Sequence, residues 1–218
     1  MKSFLSKLLR FLMKSFIAII LLFGWLAIIG ITTLWATNHG YKDYIMFIAY
    51  LAGTFFLLLL IWPYSQWVSK LSIGQLGNSM SLWLGASVII LYLVIGVIDQ
   101  LVGIPPEPYV SQILSQSGGA LITTYITILV LAPVCEEIIF RGMFLNMFKS
   151  TRPWTLWLGV FITSVIFSGI HMQYRHISTF MEIFILALIL AIARIRSGGL
   201  LLPILLHAEA SLMAVILE

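Results

Sequence analysis

The chain has 218 residues, of which 61% are hydrophobic and 9% charged, with a formal net charge of +4. Soluble domains carry roughly 25% charged residues, so the composition excludes a water-soluble fold. The 12 basic residues are spread between apolar runs, which excludes a nucleic-acid-binding patch. Cys135 is the single cysteine, so neither an internal disulfide nor a cysteine metal cluster can form, and it reads as a small buried apolar residue.

Residues 1–15 alternate basic and apolar side chains, with Lys2, Lys7, Arg10 and Lys14 set among Phe4, Leu8, Phe11 and Leu12. This is the pattern of a basic amphipathic segment on an anionic membrane face. The run from Phe16 to about Ala36 is long enough to span, and no small-x-small cleavage site follows. It is therefore read as a retained first span and not a signal peptide. Further apolar runs at about 45–62, 82–104, 120–140, 154–171, 179–195 and 200–217 bring the number of predicted spans to seven, the sixth being short. The fold expected is an all-α polytopic membrane bundle, with residues 16–218 as one transmembrane domain and no linker within it. Glycines and prolines mark the connections, and that around 104–117 is predicted to hold a short surface helix. With the N-terminus inside, ten basic residues (Lys2, Lys7, Arg10, Lys14, Lys70, Arg141, Lys149, Arg152, Arg194 and Arg196) face the cytoplasm. Lys42 and Arg175 face outward, and this bias predicts N-terminus in and C-terminus out.

The second half of the chain contains ionisable residues where helices should be apolar. An ionisable group at the centre of a span costs about 2.5–3.5 kcal/mol on insertion scales, so Glu136, Glu137 and Arg141 together imply a built polar site. At helical spacing Glu137 and Arg141 form an i, i+4 pair, whereas Glu136 points away from Arg141. Pro133 is expected to kink the helix and admit water. His171 and Glu136 lie about equally far from the Pro153 turn, so the arms of an antiparallel hairpin place them at similar depth. His207 lies early in the last span, with Ser211 one turn on along the same face. His39 and His176 read as loop residues, Asp43 and Asp99 as interfacial, and Glu182 and Glu209 as lumen-facing or supporting. Trp35, Tyr41, Tyr44, Trp62, Trp67 and Trp154 suit an aromatic belt.

Several chemistries are excluded. The two aspartates form no paired motif, H-E-x-x-H is absent, and Ser168-Gly169 lacks the rest of a nucleophile elbow. A proton-relaying transporter also buries carboxylates, but here they fall in one half with no repeated broken helices. One carboxylate and two imidazoles remain. They can activate water and stabilise an oxyanion, or ligate zinc, and spacing alone leaves both open.

Three elements in order resemble the CAAX protease and bacteriocin-processing (CPBP, or Abi) family of intramembrane endopeptidases. They are E-E-x-x-x-R at Glu136, Glu137 and Arg141, F-x-x-x-H at Phe167 and His171, and His207 after the Ser-Gly-Gly-Leu-Leu-Leu-Pro approach. The resemblance covers about 120–212 and implies an active site between the fourth, fifth and seventh spans. It assigns Glu136 as the general base, His171 as its assistant, His207 as an oxyanion holder, and Glu137 and Arg141 as an ordering pair. Ser211 stands where the family usually has asparagine. Its shorter reach predicts slow turnover, since losing one oxyanion donor costs about 2.7–4 kcal/mol. The expected reaction is hydrolysis of a peptide bond in a membrane-associated peptide or protein near the cytoplasmic half of a bacterial plasma membrane, with no required cofactor and zinc as the alternative. A non-catalytic scaffold, immunity protein or regulator is the alternative function.

Overall fold

In hydrocarbon every backbone N–H and C=O must be paired within its own segment, so long apolar runs become helices. The structure is a computed structural model that describes residues 2–77, 79–149 and 153–217, with the side chains of residues 2–7 and of Arg10 outside the description. Of the basic residues used to orient the chain, Arg152 and the side chains of Lys2, Lys7 and Arg10 therefore lie outside the described residues.

The helices are α1 (Lys2–Asn38), α2 (Ile45–Trp67), α3 (Ser79–Val102), the short α4 (Pro108–Leu114), α5 (Gly118–Met147), α6 (Pro153–Gly169), α7 (Ile177–Ser197) and α8 (Leu201–Leu217), and no strand occurs among the described residues. α1, α2, α3, α5 and α7 are long and apolar enough to cross a membrane, whereas α6 and α8 are shorter apolar helices of 17 residues each. The chain is a polytopic helical membrane bundle. The short spans are thus the fifth and seventh, not the sixth, which has 21 residues. Ser178 and Arg196 bound the sixth apolar run, but the helix continues through both and ends only where Gly198 takes a left-handed φ of 71°. α1 continues the basic N-terminal segment into the first span without a break. The short surface helix expected in the 104–117 connection is α4, which buries Val110 and Ile113 against the bundle and leaves Pro108, Ser111, Gln112 and Leu114 exposed.

The predicted disturbance at Pro133 takes a particular form. α5 contains two π-helical stretches, Thr127–Leu131 and Ile138–Phe144, on either side of the α-helical Ala132–Glu137. Pro133 has no N–H to close the ladder, and wide turns of this kind are frequent at functional sites.

The helices alternate in direction, so the two ends of the bundle differ. One end carries the 39–44, 103–117 and 170–176 connections and the last turn of α8. The other carries the start of α1 and the connections after α2, α5 and α7. This second end is closed by a strap. Gln75 N–H donates to Ser197 O at 3.0 Å, and the N–H groups of Leu200 and Leu201 donate to Ser72 O and Ile73 O at 3.0 Å each. The Ser72 hydroxyl also donates to Gly198 O. At the crossing, a Cβ on Gly199 would lie 2.0 Å from Gly74 N. Gly199→Ala cannot be absorbed by a side-chain adjustment, and overpacking typically costs about 1–3 kcal/mol. It is expected to lower the melting temperature and membrane abundance, checked by thermal unfolding of the purified protein.

Candidate active site

Two imidazoles of the second half, His171 and His207, converge on Glu136. Its Oε1 accepts from the Tyr50 hydroxyl of α2 at 3.3 Å. Its Oε2 is buried and has no hydrogen-bond partner among the described residues. That oxygen lies 3.8 Å from His171 Nε2 and 3.8 Å from His207 Nε2. Equal arms of the α5–α6 hairpin do bring Glu136 and His171 to one depth, and α8 supplies His207 beside them.

The surroundings fix both imidazoles. His171 Nδ1 is 2.6 Å from Phe167 O, a carbonyl that can only accept, so Nδ1 carries the proton. His207 Nδ1 is 3.0 Å from Glu137 Oε1, which calls for the same tautomer opposite a carboxylate. Each ring therefore turns Nε2 toward Glu136. His171 lies in the connection just past α6; burial pushes its imidazole below the usual value, and the negative charge of Glu136 draws it back. The Phe167 ring stands 4.7 Å from the His171 ring and 5.7 Å from the His207 ring, centroid to centroid, and holds the two apart from the core.

Glu137 and Arg141 form the expected pair, with Arg141 Nη1 2.8 Å from Glu137 Oε1 and both side chains buried. The pair is more connected than its spacing suggests. Arg141 Nη2 donates to Ala187 O of α7 at 3.1 Å, and its guanidinium lies 4.4 Å from the centre of the Phe167 ring on α6. The carboxylate that neutralises Arg141 also orients His207. One ion pair thus ties α5 to α6, α7 and α8.

Ser211 lines the cavity that contains Glu136, His171 and His207. Glu209 does not join it; its carboxylate lies against Gly85 of α3. Glu182 lines a neighbouring cavity of about 500 Å³ with Asp99 and Glu107, which shares Val110, Tyr174 and Ala214 with the first. His176 immediately precedes α7, as a loop residue should. Cys135 is fully buried, its Sγ 3.1 Å from Thr54 Oγ1.

Two residues escaped sequence reasoning. Tyr50 sits in an apolar run where its hydroxyl counts as nothing, and the only signal was a phenol in mid-span. Glu107, between two prolines, looked like loop. It is buried and accepts from the backbone N–H groups of Arg175 and His176 and from the Thr179 hydroxyl, capping the start of α7. It thereby fixes the connection that holds His171 and Tyr174.

The donor types at Glu136, His171 and His207 are those of a catalytic zinc site, and Nδ1–H groups engaged by a carbonyl and a carboxylate are its usual outer partners. As arranged, no three such groups among the described residues stand together as a ligand set.

Comparison with known proteins adds a sequence family. The family model described as type II CAAX prenyl endopeptidase Rce1-like matches residues 118–213, which span α5 to α8 and every residue of the constellation except Tyr50. An uncharacterised 24.3 kDa protein of Escherichia coli is 38% identical over 177 residues, covering 80% of this chain and 81% of that protein. No solved structure matches.

Proposed function

The chain belongs to the Rce1-like type II CAAX prenyl endopeptidase family, and from that premise we propose that it is an intramembrane endopeptidase in which Glu136 activates the attacking water. The observation that carries this reading is the orphaned Glu136 Oε2 facing two imidazole Nε2 atoms. A buried acceptor without a partner calls for an explanation, and a water held there would supply one. Glu136 takes a proton from the water as its oxygen adds to the carbonyl carbon of the scissile amide. His171, neutral and aimed by Phe167, accepts a second hydrogen bond from that water. His207 meets the developing oxyanion through Nε2 when it carries its second proton, with the Ser211 hydroxyl one turn away. The C–N bond then breaks, and the leaving amine takes the proton from Glu136. Tyr50 holds the other carboxylate oxygen and fixes the direction of Oε2.

The bilayer and a membrane-associated peptide or protein are the proposed partners. The distribution of basic residues orients the start of α1 and the strap toward the cytoplasm, and the similarity to an Escherichia coli protein favours a bacterial plasma membrane. The test is cleavage by the purified protein in liposomes of two internally quenched peptides, one farnesylated at its C-terminus and one a transmembrane segment. Cleavage of either supports the assignment, and cleavage of neither opposes it.

Zinc is the competing reading at the same three residues, where it would polarise the water or the carbonyl. We expect the rate to be unchanged by a chelator and the purified protein to hold no stoichiometric zinc by elemental analysis. A rate abolished by the chelator and restored by zinc would overturn the metal-free mechanism. The acid limb of the pH dependence, which His171 governs, has a definite sign; the need for a second proton on His207 works in the opposite direction. His171 must be neutral, and burial favours its neutral form. Cleavage is expected to fall on acidification, with a midpoint below the ordinary value of about 6.5, as read from a pH–rate profile.

A further inference from the structure

His171 stands in the connection between α6 and α7, where no helical ladder holds the backbone. Toward α6 the hold is local. The His171 N–H donates to Ser168 O at 3.1 Å, its Nδ1 meets Phe167 O, and the Ser168 hydroxyl donates to Phe180 O in the first turn of α7 at 2.7 Å. Toward α7 the N-cap position falls on His176, whose side chain makes no cap bond, although the first N–H groups of a helix need acceptors.

Glu107 fills that place from another part of the chain. Its Oε1 accepts from the Thr179 hydroxyl at 2.7 Å, from the His176 N–H at 2.9 Å and from the Arg175 N–H at 3.1 Å. Its Oε2 accepts from the Arg175 N–H at 3.0 Å. The same residue opens α4, where its carbonyl accepts from the Ser111 N–H at 3.0 Å and Pro108 begins the first turn. Tyr109, in that turn, donates its hydroxyl to Met46 Sδ of α2 at 3.4 Å and sets its ring edge-on to Tyr174, 5.6 Å between centroids.

Tyr174 is thus gripped twice, through its ring by Tyr109 and through the next residue by Glu107. It passes the grip on. Its N–H donates to His171 O at 3.2 Å, and its ring lies nearly parallel to the His171 imidazole, at 12° and 6.2 Å between centroids. Glu107 lines the neighbouring cavity and is not among the residues that line the one holding Glu136, so it acts on that site through other residues.

We infer that Glu107 is a positioning residue for His171 and that Tyr174 transmits its hold. Glu107 lies outside the residues 118–213 matched by the family model, so this part of the site comes from the first half of the chain. The effect on rate rests on the endopeptidase reading above; the hold on the connection does not.

Steady-state cleavage of the quenched peptides by the full chain in liposomes is the first arm. Glu107→Ala is expected to lower kcat by about 10–10²-fold, the loss that follows a small displacement of a reacting group, with KM unchanged. Glu107→Gln keeps an acceptor at the Oε1 position and should recover most of that loss. Tyr174→Ala should lose as much as Glu107→Ala, and Tyr174→Phe, which keeps the ring, should recover most of it. The double variant of Glu107→Ala and Tyr174→Ala should be no slower than the slower single one, because both act through one contact. Multiplied losses in the double variant would overturn the transmission through Tyr174. Tyr174→Phe as slow as Tyr174→Ala would do so too, by making the hydroxyl a direct participant. Should Glu107→Ala fail to fold, Glu107→Asp, whose carboxylate is one methylene short, takes its place in the cycle.

Hydrogen exchange on the same preparations is the second arm. Glu107→Ala is expected to speed exchange at residues 172–178 and to leave α5 and α8 at wild-type rates. Unchanged exchange there overturns the hold. Faster exchange with no cleavage by the wild type would sink the endopeptidase reading and leave the hold standing. Cleavage by the wild type with kcat intact in Glu107→Ala would do the opposite.

Discussion

Glu136→Gln is expected to lower the cleavage rate by about 10²–10⁴-fold, the usual contribution of a positioned general base, while abundance and melting temperature stay at wild-type values. The substitution keeps the shape of the side chain. The amide oxygen can still accept from the Tyr50 hydroxyl, which is the only hydrogen bond the Glu136 side chain makes among the described residues. What disappears is the proton acceptor at Oε2, the atom that has no hydrogen-bond partner among the described residues. The fold therefore loses little and the chemistry loses its base. Cleavage of the quenched peptides, paired with thermal unfolding of the same preparation, measures both. Retention of the wild-type rate would overturn the role of Glu136. The same variant separates the endopeptidase from a scaffold or regulator, which Ser211 in place of the family's asparagine keeps in view. A scaffold needs the shape alone, so the Glu136→Gln chain would then complement a deletion strain as well as the wild type does.

What could be read in advance follows from how strongly each residue departs from its surroundings. Glu136, Glu137 and Arg141 stood out because charge in an apolar run is costly whatever the fold. His171 and His207 followed because an imidazole at the end of or within an apolar run needs a partner, and the hairpin arms gave the first of them a depth. The spans were legible for the same reason, except where charge ended an apolar run without ending a helix, as Arg196 does in α7. Tyr50 was hidden because a phenol is mostly apolar, and its role depends on a partner 86 positions away. Glu107 was hidden because loop chemistry surrounds it, and its partners lie 68 to 72 positions on. The strap is a tertiary event between two glycine turns, and local sequence carries no sign of their crossing. The π-helical turns of α5 are likewise set by packing and by Pro133 together.

Glu137→Ala should cost both stability and activity, for reasons that two further variants can separate. Removing one partner of a buried ion pair costs about 3–5 kcal/mol, because the other charge stays buried without compensation. Here the stranded group is Arg141, 2% exposed, whose guanidinium would keep only Ala187 O and the face of Phe167. Loss of membrane abundance and a large fall in melting temperature are the expected readings. Glu137→Leu combined with Arg141→Met removes both charges and should recover much of that stability, since apolar replacement of a whole buried pair is often neutral or favourable. Activity should not return with it. His207 Nδ1 would still lack the carboxylate that now receives its proton at 3.0 Å, so the ring would lose both its orientation and its fixed tautomer. Glu137→Gln completes the set: its amide oxygen can accept from His207 Nδ1 but is neutral beside Arg141. It should be destabilised, yet keep more activity per folded molecule than the stable double variant. If the double variant cleaved at the wild-type rate, Glu137 would be architecture alone. If it stayed folded and inactive, Glu137 would be the residue that aims His207 at the carbonyl under attack.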